Sequence, residues 1–465
     1  MPIEHVVVLM LENRSFDGMM GKLRDATPGF DGLTGDEANS YHPPGGPSQT
    51  VPCWNDPGMS ALTATIPDPD PGELFADIRM QTEGLFLDSP MDGFVDNYMR
   101  QPAAAKPYDP RAPMHYFTPG QVPVLSLLGT AFAISDRWFA SAPCQTWPNR
   151  FFAHCGTAGG AVNNAPERLP FTMKTVFNLL SEAGHDWRIY FHDFPQAATL
   201  SQLWLDAPTR FARYHAFLSD AARGALPAYS FIEPQYFTDI LSGTLPNDQH
   251  PPHNVALGEQ LIARTYNALR ANRALWDRTL FIVTYDEHGG CYDHVAPPAA
   301  TPPGGACPDG FAFDRFGVRV PAAILSPYAP ARAILRAPGA VPFDHTSIIA
   351  TLRELFGLGP LTARDAAAPS LLGLLTTTPD NPGPDSIGIP PVPPPTPETL
   401  TAAKALPANA LQASLGAAAA HLPTKGADPA LHAARLARAP IPVQSDLAAT
   451  AEFVAAHVQA FLGEI

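Results

Sequence analysis

The sequence predicts an α/β protein with a mostly parallel central sheet flanked by helices, and three observations carry that prediction. Two uninterrupted apolar runs of strand length, residues 3–11 (IEHVVVLML) and Thr279–Tyr285 (TLFIVTY), read as strands covered on both faces. Shorter β-like runs at Trp187–Phe191 (WRIYF) and 228–232 (AYSFI) each follow a stretch of helical periodicity. Strands that alternate with helices along a chain pair most naturally in parallel.

Taken in order, residues 3–11 empty directly into Glu12-Asn13-Arg14-Ser15-Phe16-Asp17, at the strand end where open α/β sheets place their ligands. Residues 26–72, dense in Pro, Gly and Asp, read as a long insertion on that same side of the sheet. Residues 130–139 (TAFAISDRWF) predict a second strand, followed by a loop through Thr146 to Arg150. Residues 255–276 place Val255, Leu257, Leu261, Ala263, Tyr266, Leu269 and Trp276 largely along one stripe, so one helix is expected to feed the strand at Thr279–Tyr285. That strand runs into Asp286-Glu287-His288-Gly289-Gly290, and residues 318–326 predict a further strand broken early by Pro321. Residues 1–378 are expected to form one large domain, 379–398 a Pro-rich spacer with polyproline character, and 399–465 two or three Ala/Leu-rich helices.

Composition bounds the function. With 465 residues and 45% hydrophobic content the chain can bury a large core. A net charge of -15 argues against nucleic acid and against adhesion to anionic lipid, while leaving a zwitterionic lipid open. The five cysteines contain no CxxC pair that would suggest a zinc ribbon. No apolar stretch reaches the roughly 18 residues of a membrane span, and the first residues lack a basic, cleavable leader pattern. A cytoplasmic protein is expected as the sequence is written, or an exported one whose leader has been removed.

Chemistry concentrates at the two strand ends. Glu12, Asn13, Asp286 and Glu287 offer three carboxylates and an amide carbonyl, the oxygen donors that a hard divalent cation needs. The bland alternative makes Glu12 a helix cap and Asp286-Glu287 a solvated turn. Charged pairs at the ends of continuous apolar runs weigh against it, because burial without a partner is costly. Thr146 is the candidate nucleophile, a weak one unless a metal or base activates it, with Asn149 and Arg150 as donors for an oxyanion or phosphate. Among the histidines, His250 is the preferred proton carrier and His345 the second choice, although Asp344-His345 also reads as the first turn of a helix.

These motifs, with His250-Pro251-Pro252, Tyr292-Asp293-His294-Val295 and Phe343-Asp344-His345-Thr346-Ser347, stand in the order found in the phosphoesterase family of bacterial phospholipases C and acid phosphatases. The resemblance runs from about residue 2 to residue 358. It implies an alkaline-phosphatase-like fold and one divalent metal ion (calcium, magnesium, manganese or zinc) held by Glu12, Asn13, Asp286 and Glu287. It further implies that Thr146 is a phosphorylated nucleophile that also touches the metal, and that His250 faces the substrate phosphate. Glu73 departs from the family, standing where some members carry a histidine. A carboxylate there penalises a phosphate dianion more than a singly charged diester. A phosphodiester or phospholipid substrate is therefore favoured, with Glu73, Asn13 and His250 facing it. A phosphomonoesterase, a phosphotransferase, a sulfatase- or phosphonate-directed relative and a non-catalytic phosphoryl-binding protein are the alternatives.

Overall fold

The two long apolar runs pair side by side at the centre of an eight-stranded sheet. In the computed structural model, which describes residues 2–60, 63–86, 89–102, 104, 106–239, 242–404, 406–428, 432 and 446–464, the strands are β1 (His5–Leu11), β2 (Ala38–Tyr41), β3 (Gln49–Pro52), β4 (Ala133–Ile134), β5 (Trp138–Phe139), β6 (Trp187–Phe191), β7 (Phe211–Arg213), β8 (Tyr229–Glu233), β9 (Thr279–Tyr285), β10 (Ala322–Leu325), β11 (Ala333–Ile334) and β12 (Phe343–Asp344). The large sheet has the order β11-β4-β10-β9-β1-β8-β6-β7, and two small ribbons pair β2 with β3 and β5 with β12. Every pairing in the large sheet is parallel except those of β10, which runs antiparallel to β9 and to β4.

Central strands explain the apolar runs. Val6 to Leu11 and Leu280 to Val283 are fully buried, since helices cover both faces of the sheet. Phe177 and His154 pack on Tyr229 and Phe231 of one face, and Phe217 packs on Tyr190, which alternates to the other. Truncating a ring such as Phe281 to alanine is expected to cost about 3–5 kcal/mol.

Register decides what the strands deliver. Leu11 of β1 lies opposite Tyr285 of β9, so the next residues, Glu12 and Asp286, emerge side by side. The same end of β8 carries Glu233.

Local readings of the sequence needed four adjustments. Residues 130–139 are not one strand: a helix ends at Ala131, and β4 and β5 join different sheets. The helix expected over 255–276 stops at Ala271, where Asn272 caps a separate short helix, Arg273–Trp276. Only Ala322–Leu325 of residues 318–326 is strand, beginning just after Pro321. Thr146 does not lie in a loop but opens the helix Thr146–Cys155.

The Pro-rich stretch has no regular element between residues 379 and 396. Gln260 and Asn267, on the helix Val255–Ala271, hold it through the carbonyls of Pro390 and Ile387. Beyond it, helices span Pro397–Lys404, Ala410–Ala420 and Leu447–Leu462; residues 405, 429–431, 433–445 and 465 of the expected extension lie outside the described residues. The tail packs on the core, where Gln412 donates to the Tyr236 carbonyl at 2.8 Å and Arg213 pairs with Glu464 at 2.9 Å. Among the described residues no helix is long and apolar enough to cross a membrane.

Candidate active site

Thr146 reaches the sheet edge because a helix begins at it. Gln145 precedes it in extended conformation, Pro148 sits in the first turn where its missing N–H is harmless, and Gly156 ends the helix at φ +68°. The Trp147 N–H, free at a helix start, donates to Asn164 Oδ1 at 2.9 Å. Thr146 Oγ1 then lies 3.4 Å from both Glu12 Oε2 and Asn13 Oδ1. The hydroxyl is buried at the positive end of the helix dipole, a favourable place for developing negative charge.

Asn13 joins the two halves of the site. Its φ of +50° is a left-handed conformation that Asn tolerates better than most residues. Its backbone N–H donates to Asp286 Oδ1 at 3.1 Å and its Nδ2 to Glu73 Oε1 at 2.7 Å, which leaves Oδ1 facing Thr146. Gly289 and Gly290, at φ +60° and +63°, allow the loop after β9 to close on this point. A Cβ on Gly289 would lie 2.2 Å from the Asn13 carbonyl oxygen, and one on Gly290 would lie 2.6 Å from Pro71 Cβ.

Arg150, one helical turn after Thr146, is the cation of the centre. It donates to Glu12 Oε1 at 2.6 Å and to Asp286 Oδ2 at 3.3 Å, with Glu233 Oε2 at 4.0 Å from Nη1. Burial alone would lower its basicity, but Glu12, Asp286 and Glu233 outweigh that and raise it. Burial likewise pushes Glu12 well above the usual carboxylate range, with Arg150 opposing and Asp286 adding to the shift. Glu287 is pushed up by burial and then by Glu73 and Asp286, and its Oε1 has no hydrogen-bond partner.

The other half of the site is a pocket of Asp70, Glu73 and His250. His250 Nε2 stands 3.3 Å from Glu73 Oε1, and His250 Nδ1 lies 3.7 Å from Asp70 Oδ1. Burial disfavours charge on His250, yet Glu73 and Asp70 override it and raise its basicity well above the imidazole norm.

The sequence-predicted residues therefore converge: Glu12, Asn13, Glu73, Thr146, His250, Asp286 and Glu287 form one connected, buried group. Several neighbours do other work. Asn149 turns away and bonds the carbonyls of Ala142, Cys144 and Gln145, and Arg150 gives Nε and Nη2 to Asp286 and Glu12, which leaves Nη1 as its one buried donor without a hydrogen-bond partner. Ser15, not Glu12, caps the helix Phe16–Met20. His345 accepts from Trp138 and holds the Asp286 carbonyl through Nε2 at 2.6 Å, a supporting position. Sequence reasoning missed Asp70, Glu233 and Gln196, the last of which donates to Glu12 Oε1 at 2.7 Å. Glu233 had a readable signal, an acid at the end of an apolar strand; Gln196 had none.

A divalent cation suits the donors present. Buried carboxylates outnumber cations, Glu287 Oε1 is orphaned, and the Glu12 and Asn13 oxygens converge on Thr146 Oγ1. Among the described residues, the groups of three acids or histidines whose ligand atoms all lie within 4.8 Å of one another are Asp17–Asp293–His294 and Asp70–Glu73–His250. Glu12, Asp286 and Glu287 are not such a group, and Arg150 takes one oxygen each of Glu12 and Asp286.

The comparisons with known proteins define the class, a hydrolase that acts on phosphoric esters. The phosphoesterase family profile matches residues 3–359, and the chain belongs to that family. It is 38% identical over 402 residues to non-specific phospholipase C3 of Arabidopsis thaliana, covering 81% of this chain and 74% of that protein. It is 29% identical over 443 residues to phospholipase C A of Mycobacterium tuberculosis, covering 81% and 76%. A solved protein of the alkaline phosphatase superfamily from Vibrio parahaemolyticus is 14% identical with a TM-score of 0.33, covering 53% of this chain and 64% of that one. A likeness of that size adds nothing to the topology described above.

Proposed function

We propose that this chain is a phosphodiesterase of the phospholipase C type that works through a phospho-threonine at Thr146. The observation that carries this reading is the position of Thr146 Oγ1, buried at a helix start and 3.4 Å from Glu12 Oε2 and Asn13 Oδ1. The names of its plant and mycobacterial relatives support the substrate class.

Glu12, Asn13, Thr146, Asp286 and Glu287 would hold one divalent cation. When bound, it supplies charge neutralisation for the phosphoryl oxygens and a lowered hydroxyl pKa. Thr146 Oγ1 bonds to phosphorus as the bond from phosphorus to the leaving alcohol breaks. The hydroxyl proton departs on the side of Glu12 Oε2, and His250 protonates the leaving oxygen. Water then attacks phosphorus, gives a proton back to His250, and the phosphorus–Oγ1 bond breaks as Thr146 recovers its proton. Arg150 keeps Glu12 and Asp286 in place throughout.

Glu73 favours a singly charged diester over a monoester dianion, and it attracts the cationic head group of a zwitterionic lipid. The test is metal-supplemented turnover of a chromogenic choline phosphodiester and of the matching monoester by wild type, Thr146→Ala and Glu73→His. Expected are diester preference in wild type, a shift towards the monoester in Glu73→His, and a loss of at least about 10³-fold in Thr146→Ala on both. Monoester preference in wild type would make the protein a phosphatase. Added glycerol that diverts product into a phosphoryl-glycerol would make it a transferase.

A further inference from the structure

Asp70, Glu73 and His250 form a pocket that the hydrolytic reading leaves half explained. Asp70 Oδ1 and His250 Nε2 are buried atoms with no hydrogen-bond partner, although His250 is fully buried and Glu73 nearly so. The His250 ring is already oriented: Nδ1 lies 2.7 Å from the Pro251 carbonyl oxygen, an acceptor only, so Nδ1 carries the hydrogen. Glu73 and Asp70 hold a second proton on the ring of the metal-free pocket, and its displacement by a cation exposes the Nε2 lone pair 3.3 Å from Glu73 Oε1. A backbone carbonyl that fixes one imidazole nitrogen while the other faces carboxylates is the arrangement that metal-binding histidines use. One ligand atom from each of the three residues falls within 4.8 Å of the others.

The other group of this kind supplies a control. Asp17, Asp293 and His294 surround Arg319, which donates to Asp293 Oδ1 at 2.9 Å and Asp17 Oδ1 at 3.1 Å. That group already holds its cation. Among the described residues no Lys or Arg donates to the Asp70 pocket: His250 is the first basic group that acts on Asp70, and Arg14, the next, gives its hydrogen bonds to the carbonyls of Gln249, Ile66 and His253.

We propose that Asp70, Glu73 and His250 form a second divalent-cation site, of one nitrogen and two carboxylate ligands, separated from the Thr146 centre by Asn13. This mixed donor set suits zinc or manganese better than calcium. With the cation present, His250 is a ligand, and proton donation by its ring belongs to the form without it. The inference rests on the phosphoesterase reading of the neighbouring centre.

The test is metal content per chain after equilibrium dialysis of the full-length protein against zinc, for wild type, Glu73→Gln, Asp70→Asn and Glu287→Gln, each checked for folding by circular dichroism. Two ions in wild type, with one lost in Glu73→Gln and in Asp70→Asn, is the expected result. An equal zinc content in wild type and both pocket variants overturns the proposal; if that ion is lost in Glu287→Gln, the Thr146 centre keeps its metal and only the second site falls. One ion in wild type that Glu73→Gln loses and Glu287→Gln retains supports the pocket and removes the cation from the Thr146 centre. Should Glu73→Gln fail to fold, Asp70→Asn decides alone.

Discussion

Two clusters of buried acid and histidine lie on the same side of the sheet, and they differ in whether their charges are answered. In the Asp17–Asp293–His294 cluster every partner is present: Arg319 bridges both aspartates, and His294 joins Asp17 at 2.6 Å to Asp31 at 3.2 Å. In the Thr146 region Glu287 Oε1, Asp70 Oδ1, His250 Nε2 and Arg150 Nη1 have no hydrogen-bond partner. The first cluster ties the loop after β1 to the loop after β9, with Ser15 Oγ donating to the Tyr292 carbonyl at 2.7 Å. The second uses the position so fixed. Unanswered charge in a buried site marks where a ligand belongs, and answered charge marks scaffolding.

The largest effect expected from breaking this contrast is in the closed cluster. Arg319→Met leaves two buried aspartates without their cation and should cost about 3–5 kcal/mol in chemical denaturation. A cost below about 1 kcal/mol would show that the cluster is not structural.

A smaller effect is expected from pH. Hydrogen bonding and charge from Asp17 overcome the burial penalty and hold His294 at about 9, above the ordinary imidazole value of 6.5. The folded state thus keeps this proton longer than the unfolded chain. Its contribution is complete below about pH 6.5 and is lost as pH rises through about 9. Urea midpoints should fall across that window in wild type and change less in His294→Gln; parallel curves would contradict the assignment.

The open cluster should respond with the opposite sign. In metal-free protein, Glu287→Gln keeps an acceptor for the Gly289 N–H and replaces the unpartnered Oε1 of a buried acid crowded by Glu73 and Asp286, and should raise stability by about 1–2 kcal/mol while lowering turnover. A destabilised Glu287→Gln would mean that this carboxylate is answered after all. A change of similar size is expected for Gly290→Ala, which forces a Cβ against Pro71 at φ +63°. It should cost about 1–2 kcal/mol and reduce turnover, because Pro71 adjoins the segment that carries Glu73.

Much of this contrast was legible in the sequence. The runs at 3–11 and Thr279–Tyr285 are apolar at most strand positions, and the acids after them lie at a strand end. The motifs Glu12-Asn13 and Asp286-Glu287 were therefore found together. Thr146 was found as a residue but not as a helix start, since Pro148 resembles a loop signal and is equally at home in a first helical turn. Arg150 looks like a donor for substrate in the sequence because its real partners, Glu12 and Asp286, lie more than a hundred residues away. Residues 130–139 misled for a similar reason, as their apolar pattern is divided between a helix end and two short strands in different sheets.

The central claim is that Thr146 carries the phosphoryl group, and mass spectrometry of acid-quenched turnover tests it most directly. Wild-type protein quenched while hydrolysing a choline phosphodiester should yield a peptide modified at Thr146, since threonine phosphoesters survive acid, and Thr146→Ala should yield none. Undiminished turnover in Thr146→Ala, or steady hydrolysis with Thr146 never modified while another side chain is, would contradict the account.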